Sequence, residues 1–292
     1  KGWWTRDNLT NLVRIFTGNR DTANKFESGI ANLAIWALKL SHSCRRNNLK
    51  ESLRNIHAHY DLGNEFFSTF LDDTRMYSCA IFTKPESSLH EASITKIDRI
   101  CKKLNLSPAD HLLEIGTGWG GFALYAAKNY GCRITSTTIS QEQFIFSENL
   151  IKKNGLQDQV TILKKDFREL EGQFDKLVSI EMIEAIGHRL YKTFFQKCGQ
   201  LLKPEGLLAI QAITITDNLF HESKDFIDFI KQYIFPGSCI PSISALCSAA
   251  TSSDIKLFHL EDITPHYART LKEWRTNFLQ NKSRVKNLGF TN

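Results

Sequence analysis

Leu112-Leu113-Glu114-Ile115-Gly116-Thr117-Gly118-Trp119-Gly120-Gly121 is the stretch on which the fold of this chain turns. A short apolar run with an acid near its end passes through closely spaced glycines into a helical run, Phe122 to Lys128. Glycine reaches positive φ without strain and has no side chain to obstruct a ligand resting on the backbone. The helix start behind it presents free amide donors and the positive end of a dipole. Outward from this unit, strands are expected near 111–115, 132–138, 160–164, 175–181 and 207–214, with helices near 120–129, 141–153 and 190–202. That alternation predicts an α/β fold with a doubly wound, mostly parallel sheet.

Dinucleotides and S-adenosylmethionine both use such a turn. The dinucleotide fingerprint spaces its glycines G-x-G-x-x-G and places an acid about 20 residues later for the ribose. Here the glycines are Gly116, Gly118, Gly120 and Gly121, the acid Glu114 precedes them, and the next strand ends in Thr137-Thr138-Ile139-Ser140 without an acid. The E-x-G-x-G-x-G start resembles the first motif of class I S-adenosylmethionine methyltransferases, where the acid structures the cofactor site. Asp166-Phe167 after the third strand falls at the usual adenine position of that class. A dinucleotide is disfavoured.

The chain has 292 residues, 42% hydrophobic and 23% charged, ample for a sizeable core. No apolar run approaches the roughly 20 residues needed to span a bilayer, and no signal peptide pattern is present at the start. Seven scattered cysteines without a C-x-x-C pair argue for reduced thiols in a cytoplasmic setting, and against a disulfide framework or a metal site. Net charge is +6, with Lys39, Arg45, Arg46, Lys50 and Arg54 opposed only by Glu51 in their span. Such a patch suits anionic lipid headgroups or nucleic acid, or is a solvated helix face.

Residues 1–56 read as a helical segment with aromatic anchors Trp3, Trp4, Phe16, Phe26 and Trp36, and 57–292 as the catalytic domain. Leu89 to Leu104 reads as a helix with Ile94, Ile97, Ile100, Cys101 and Leu104 on one stripe. Lys203-Pro204-Glu205-Gly206 reads as a tight turn, Ser223 to Ile234 as a helix, Leu257 to Leu260 as a strand, and 268–280 as a helix.

Several segments together resemble the cyclopropane-fatty-acyl-phospholipid synthase family, which includes the mycolic acid cyclopropane synthases. They are His59-Tyr60-Asp61-Leu62-Gly63-Asn64-Glu65-Phe66-Phe67, Met76-Tyr77-Ser78-Cys79-Ala80, Glu114 to Gly121, and Thr138 to Gln143. Further on come Glu181-Met182-Ile183-Glu184-Ala185-Ile186-Gly187, Tyr233 to Gly237, and His266-Tyr267-Ala268-Arg269-Thr270-Leu271. The Tyr-Ser-Cys-Ala run placed ahead of the glycine turn is far more specific than the turn itself.

The resemblance implies a seven-stranded sheet and methyl transfer from S-adenosylmethionine to a double bond in a phospholipid acyl chain, giving a cyclopropane or a methyl or methylene branch. It implies that Tyr77, Ser78, Glu114, Gly116, Gly118, Gln143, Asp166 and Phe167 form the cofactor site, with Tyr60 another aromatic near the sulfonium. It implies a bicarbonate ion as general base, held by Cys79, Glu184 and Tyr267. Gln211 stands where many members carry a further histidine ligand, a departure that bears on the ion and on the product. The resemblance also implies a chain that stops short of the family's usual C-terminus and a peripheral membrane contact; a nucleic-acid partner is not expected, because the Asn/Asp-Pro-Pro-Tyr-like motif of base-flipping methyltransferases is absent. Oligomeric state stays open, a dimer included. Two alternatives remain: an O- or N-methyltransferase of small hydrophobic molecules, and a catalytically impaired lipid- or cofactor-binding relative.

Overall fold

A computed structural model describes residues 8–19 and 62–290 of the chain. The chain divides into two compact units, Lys1–Arg46 and Asn47–Asn292. In the first, helix α1 (Leu9–Gly18) starts at Asn8, whose side chain accepts from the Asn11 N–H. The remaining aromatic anchors, Tyr60 and the basic run 39–54 lie outside the described residues.

Among the described residues of the second unit, a one-turn helix, α2 (Asn64–Phe67), comes first, and then α3 (Leu89–Lys103). A capping box between Ser88 and Glu91 fixes the start of α3. The α/β unit follows: β1 (His111–Ile115), α4 (Gly121–Tyr130), β2 (Arg133–Thr138), α5 (Gln141–Lys153), β3 (Val160–Lys164), β4 (Phe174–Ile180), α6 (Ile183–Ile186), α7 (Tyr191–Leu201) and β5 (Leu202–Gln211). Beyond it come α8 (Asp217–Ser223), a π-helical turn at Ile230–Ile234, α9 (Ile243–Ala250), α10 (Thr264–Gln280) and α11 (Lys282–Asn287).

All ladders are parallel and the strand order is β3-β2-β1-β4-β5. Successive β1 residues serve opposite layers, as a period of two requires. Leu112 packs with Ile100, Phe122, Ala126, Ile134 and Val160, whereas Leu113 and Ile115 pack with Leu177, Ile183, Phe194 and Leu201. Both faces are covered, and the covered strand β1 is largely apolar, whereas β2 reads Arg-Ile-Thr-Ser-Thr-Thr and buries its hydroxyl side chains instead. The winding reverses between β1 and β4, and the crevice at the carboxyl ends of strands at such a reversal is where open α/β sheets bind ligands.

Four expectations are corrected. The sheet has five strands among the described residues rather than seven. Residues 257–260 form no strand: Leu257 and Phe258 are adjacent, so one pleat would put them on opposite faces, and both are exposed. The expected helix 223–234 breaks into α8, an irregular stretch and the π-helical turn. The turn at 203–206 sits inside β5 as a bulge, Leu202 pairing with Phe174 and Leu207 with Lys176, with Glu205 at φ 64°.

Candidate active site

The glycine turn leaves β1 with Gly116, Gly118 and Gly120 at φ 103°, 54° and 82°. The Gly116 and Thr117 N–H groups both donate to the Thr137 carbonyl (3.0 and 2.9 Å), tying the turn to β2. Gly121 is required by a close approach: a Cβ there would lie 2.1 Å from the Thr74 carbonyl oxygen. Beneath the turn the Glu114 carboxylate is buried and accepts from the Ser136 hydroxyl at 2.5 Å, and Ser136 also pairs with Thr117. Burial pushes Glu114 up to about 8, against the pull of Ser136 and Lys96.

Gln143, Asp166 and Phe167 follow the carboxyl ends of β2 and β3. Gln143 is buried at the start of α5, its side-chain oxygen accepting from the Thr138 hydroxyl at 2.8 Å. Asp166 is buried, caps the following 3-10 turn, and is bridged by the Arg168 guanidinium at 2.7 Å. The Phe167 ring stacks edge-on against Phe194, ring centres 5.6 Å apart, within the core.

A second wall comes from residues far apart in sequence. The segment 76–82 lies along α10, where the Ala80 N–H donates to the Thr270 hydroxyl (3.1 Å) and the Phe82 N–H to His266 Nδ1 (3.3 Å). Arg269 donates to the carbonyls of Lys84, Pro85 and Ser87 and covers the Phe82 ring at 4.1 Å. Asn64 joins this wall to the glycine turn by accepting from the Trp119 indole N–H at 2.6 Å. An aromatic cluster fills the space behind: Phe67 on Trp119 (4.8 Å), Tyr77 on Trp274 (5.2 Å) and Tyr267 on Trp274 (6.4 Å). The two specific motifs of the sequence, Tyr77–Ala80 and His266–Thr270, are therefore halves of one construction.

Between the walls, at the end of β4, the structure brings Cys79, Gln211 and Tyr267 together around Glu181. The Cys79 N–H donates to Glu181 Oε1 at 2.8 Å, Gln211 Nε2 donates to the same oxygen at 2.9 Å, and the Tyr267 hydroxyl donates to Oε2 at 3.0 Å. Gln211 Nε2 also reaches the Cys79 carbonyl at 3.1 Å. Burial, and then Glu181, push the Cys79 thiol up to about 12, so it stays a thiol and its backbone supplies the contact. Burial and Glu181 likewise raise the Tyr267 phenol, which stays a donor. Glu184 accepts from the Ile213 N–H through Oε1, while its buried Oε2 has no partner among the described residues.

Two residues of this site escape a motif-based reading. Glu181 ends a strand at φ 47°, and only the fold shows where its carboxylate points. Lys96 is fully buried and donates to the Ser78 hydroxyl at 2.6 Å. Burial lowers Lys96 to about 8, opposed first by Glu181. The signal for Lys96 was present: the buried face of α3 runs Leu89, Ala92, Ser93, Lys96, Ile97, Ile100, Cys101, and it includes the lysine while leaving Ile94 half-buried.

The bicarbonate implied by the resemblance fits this arrangement poorly. Three donors that would hold a small anion — the Cys79 N–H, Gln211 and Tyr267 — are already engaged by the Glu181 carboxylate, and among the described residues the buried polar side-chain atoms left without a partner are Glu184 Oε2 and the Trp274 indole nitrogen.

Comparison with known proteins fits this geometry into a family. The family described as mycolic acid cyclopropane synthetase matches residues 47–291. Tuberculostearic acid methyltransferase UfaA1 of Mycobacterium tuberculosis is 34% identical, over 99% of this chain and 69% of that protein. The cyclopropane-fatty-acyl-phospholipid synthase of Escherichia coli K12 is 38% identical over 76% of this chain and 55% of its own length, so this chain spans little more than half of that relative. The solved structure of mycolic acid cyclopropane synthase CmaA1 complexed with SAH and CTAB superposes with a TM-score of 0.76 at 32% identity, covering 81% of this chain and 86% of that one. With a glycine turn at the sheet's reversal point, and this likeness over most of its length, the chain belongs to the mycolic acid cyclopropane synthetase family, whose members are class I S-adenosylmethionine-dependent C-methyltransferases.

Proposed function

We propose that the chain transfers a methyl group to the double bond of an unsaturated fatty acyl chain carried on a phospholipid, giving a cyclopropane or a methyl- or methylene-branched chain. The observation that carries this reading is the joining of segment 76–82 to α10 across the mouth of the glycine turn. S-adenosylmethionine, when bound, supplies an electrophilic methyl on sulfur. On this reading the residues holding it are Tyr77, Ser78, Gly116, Gly118, Gln143 and Phe167, with Glu114 and Asp166 shaping the turn and the adenine end.

An alkene is a weak nucleophile, so the protein must hold it in line with the methyl, a contribution of about 7–11 kcal/mol at most. The cation formed on the chain would be captured by water. The rings of Phe67, Tyr77, Trp119, Tyr267 and Trp274 exclude water, and their π faces favour positive charge by about 0.5–2 kcal/mol. Bicarbonate does not enter this reading, because its donors are engaged.

The catalytic domain is taken to run from about residue 57, preceded by a helical segment, although the family match already begins at residue 47. Among the described residues no helix is long and apolar enough to cross a membrane. Contact with lipid is therefore proposed as peripheral, through the basic run 39–54 and through Phe226, Phe229 and Tyr233, exposed on the segment that leads into Cys239 beside Glu184.

The test is incubation with vesicles of monounsaturated phospholipid and a methyl-labelled donor. Labelled acyl chains heavier by one methylene are expected, and none from saturated vesicles. Label appearing only on headgroups or on added small amines would overturn the assignment.

A further inference from the structure

We propose that Glu181 is the general base of this reaction, its carboxylate standing where the family resemblance implies a bound bicarbonate. The inference rests on the lipid-methylation reading above. Geometry carries it in three ways. Glu181 Oε1 accepts from both the Cys79 N–H and Gln211, while Oε2 accepts, among the described residues, only from Tyr267. A carboxylate oxygen has two lone pairs, so Oε1 is filled and Oε2 keeps one for a proton. The donors are thus arranged as for a small planar oxyanion, and a side chain supplies that oxyanion.

The backbone is the second support. Glu181 has φ 47°, a left-handed conformation uncommon for residues other than glycine and found at sites that the surroundings over-determine. Its N–H donates to the Gln211 carbonyl at 2.7 Å, which locks the residue to the end of β5. The third support is position. The residue follows β4 at the sheet's reversal point, and its neighbour Met182 sits against Gly116, where a Cβ would meet it at 3.2 Å. Glu181 keeps some exposure at the end of β4 rather than lying sealed in the core, so on the lipid reading an acyl chain over the turn would approach it there.

Burial raises the proton affinity of Glu181, moderated by the Cys79 N–H, Gln211, Lys96 and Tyr267. Glu184 is less suited: burial, then Glu181, push it up to about 8, and its Oε1 is turned to Ile213.

The step balances as follows. An alkene carbon bonds to the methyl carbon as that carbon's bond to sulfur breaks, leaving a cation on the neighbouring chain carbon. Glu181 Oε2 takes one proton from the new methyl. The released electron pair closes the three-membered ring, or forms a methylene after a hydride shift on the chain. Glu181, now a neutral acid, returns its proton to water after product departs.

Three proteins decide the matter: wild type, Glu181→Gln and Glu181→Gly. Each is assayed for turnover with and without bicarbonate, for S-adenosylmethionine binding by calorimetry, and for ¹³C-bicarbonate binding by NMR. Wild type is expected to turn over equally well in carbon-dioxide-free buffer and to bind no bicarbonate. Glu181→Gln is expected to bind S-adenosylmethionine normally and lose about 10²–10⁴-fold in turnover. Glu181→Gly, whose backbone suits glycine, should bind bicarbonate in the vacated place and recover turnover as the ion is added. A wild-type rate that falls without bicarbonate, or a fully active Glu181→Gln, overturns the proposal. Absence of methyl transfer by wild type to any unsaturated lipid would instead sink the lipid reading. In that case bicarbonate binding to wild type refutes the replacement of the ion by Glu181, and binding to Glu181→Gly alone upholds it.

Discussion

Glu184 holds its carboxyl where ionisation gains little, with one oxygen on the Ile213 N–H and the other unpartnered among the described residues. An unfolded glutamate titrates near 4.5, and burial beside Glu181 moves Glu184 to about 8. Between those values the folded protein keeps a proton that the unfolded chain has released. The stabilisation is therefore full below about 4.5 and is lost as pH rises through about 8. Glu114 adds a slope of the same sign. Glu184→Gln should make the fall in Tm between pH 5 and pH 8.5 shallower than in wild type, read by differential scanning calorimetry. An identical fall would mean that Glu184 is ionised in the folded protein at both pH values. The same neighbourhood shows what a sequence displays and what it hides. Gly116 and Gly118 were singled out because a turn is local, Cys79 and Tyr267 because their motifs are specific, and Gln211 because it departs from the histidine that many family members carry there. The gathering of those last three on Glu181 was not legible, since it depends on one left-handed residue and on partners up to 102 positions away.

Among the elements, the strands were the most legible and the tail the least. Buried parallel strands are short apolar runs bounded by turns, and β1 and β3 fall where the pattern put them. The tail is shaped by tertiary contacts: α10 is fixed by what it grips more than by its own pattern. Arg269 is the grip, with three carbonyls and the Phe82 ring in its reach. Hydrogen bonds from a charged donor are worth about 1.5–3 kcal/mol each when desolvated, and less at a half-exposed site. Arg269→Ala is expected to cost about 2 kcal/mol in urea unfolding and to raise KM for lipid more than it lowers kcat. A variant as stable as wild type would show that segment 76–82 is held by Thr270 and His266 alone.

The second unit as a whole places its chemistry at one end of the sheet and shows aromatic side chains nearby. Phe229 and Tyr233 are 66% and 65% exposed and touch ring to ring at 5.2 Å, on a segment whose shape is set by Lys231 donating to three carbonyls. Two exposed aromatic rings side by side suit the boundary between lipid headgroups and acyl chains. Phe229→Ser with Tyr233→Ser should weaken co-sedimentation with anionic vesicles several-fold while leaving Tm unchanged. Equal binding would shift the lipid contact to the basic run 39–54.

The pairing of segment 76–82 with α10 also constrains how the enzyme is born. A ribosome delivers the sheet, the glycine bend and Glu181 well before Thr264 emerges, so the nascent protein can store a folded half-site with no Tyr267 to steady its acid. Methylation must then await α10, and an arrested translation product ending before it should be silent toward lipid even with its sheet complete.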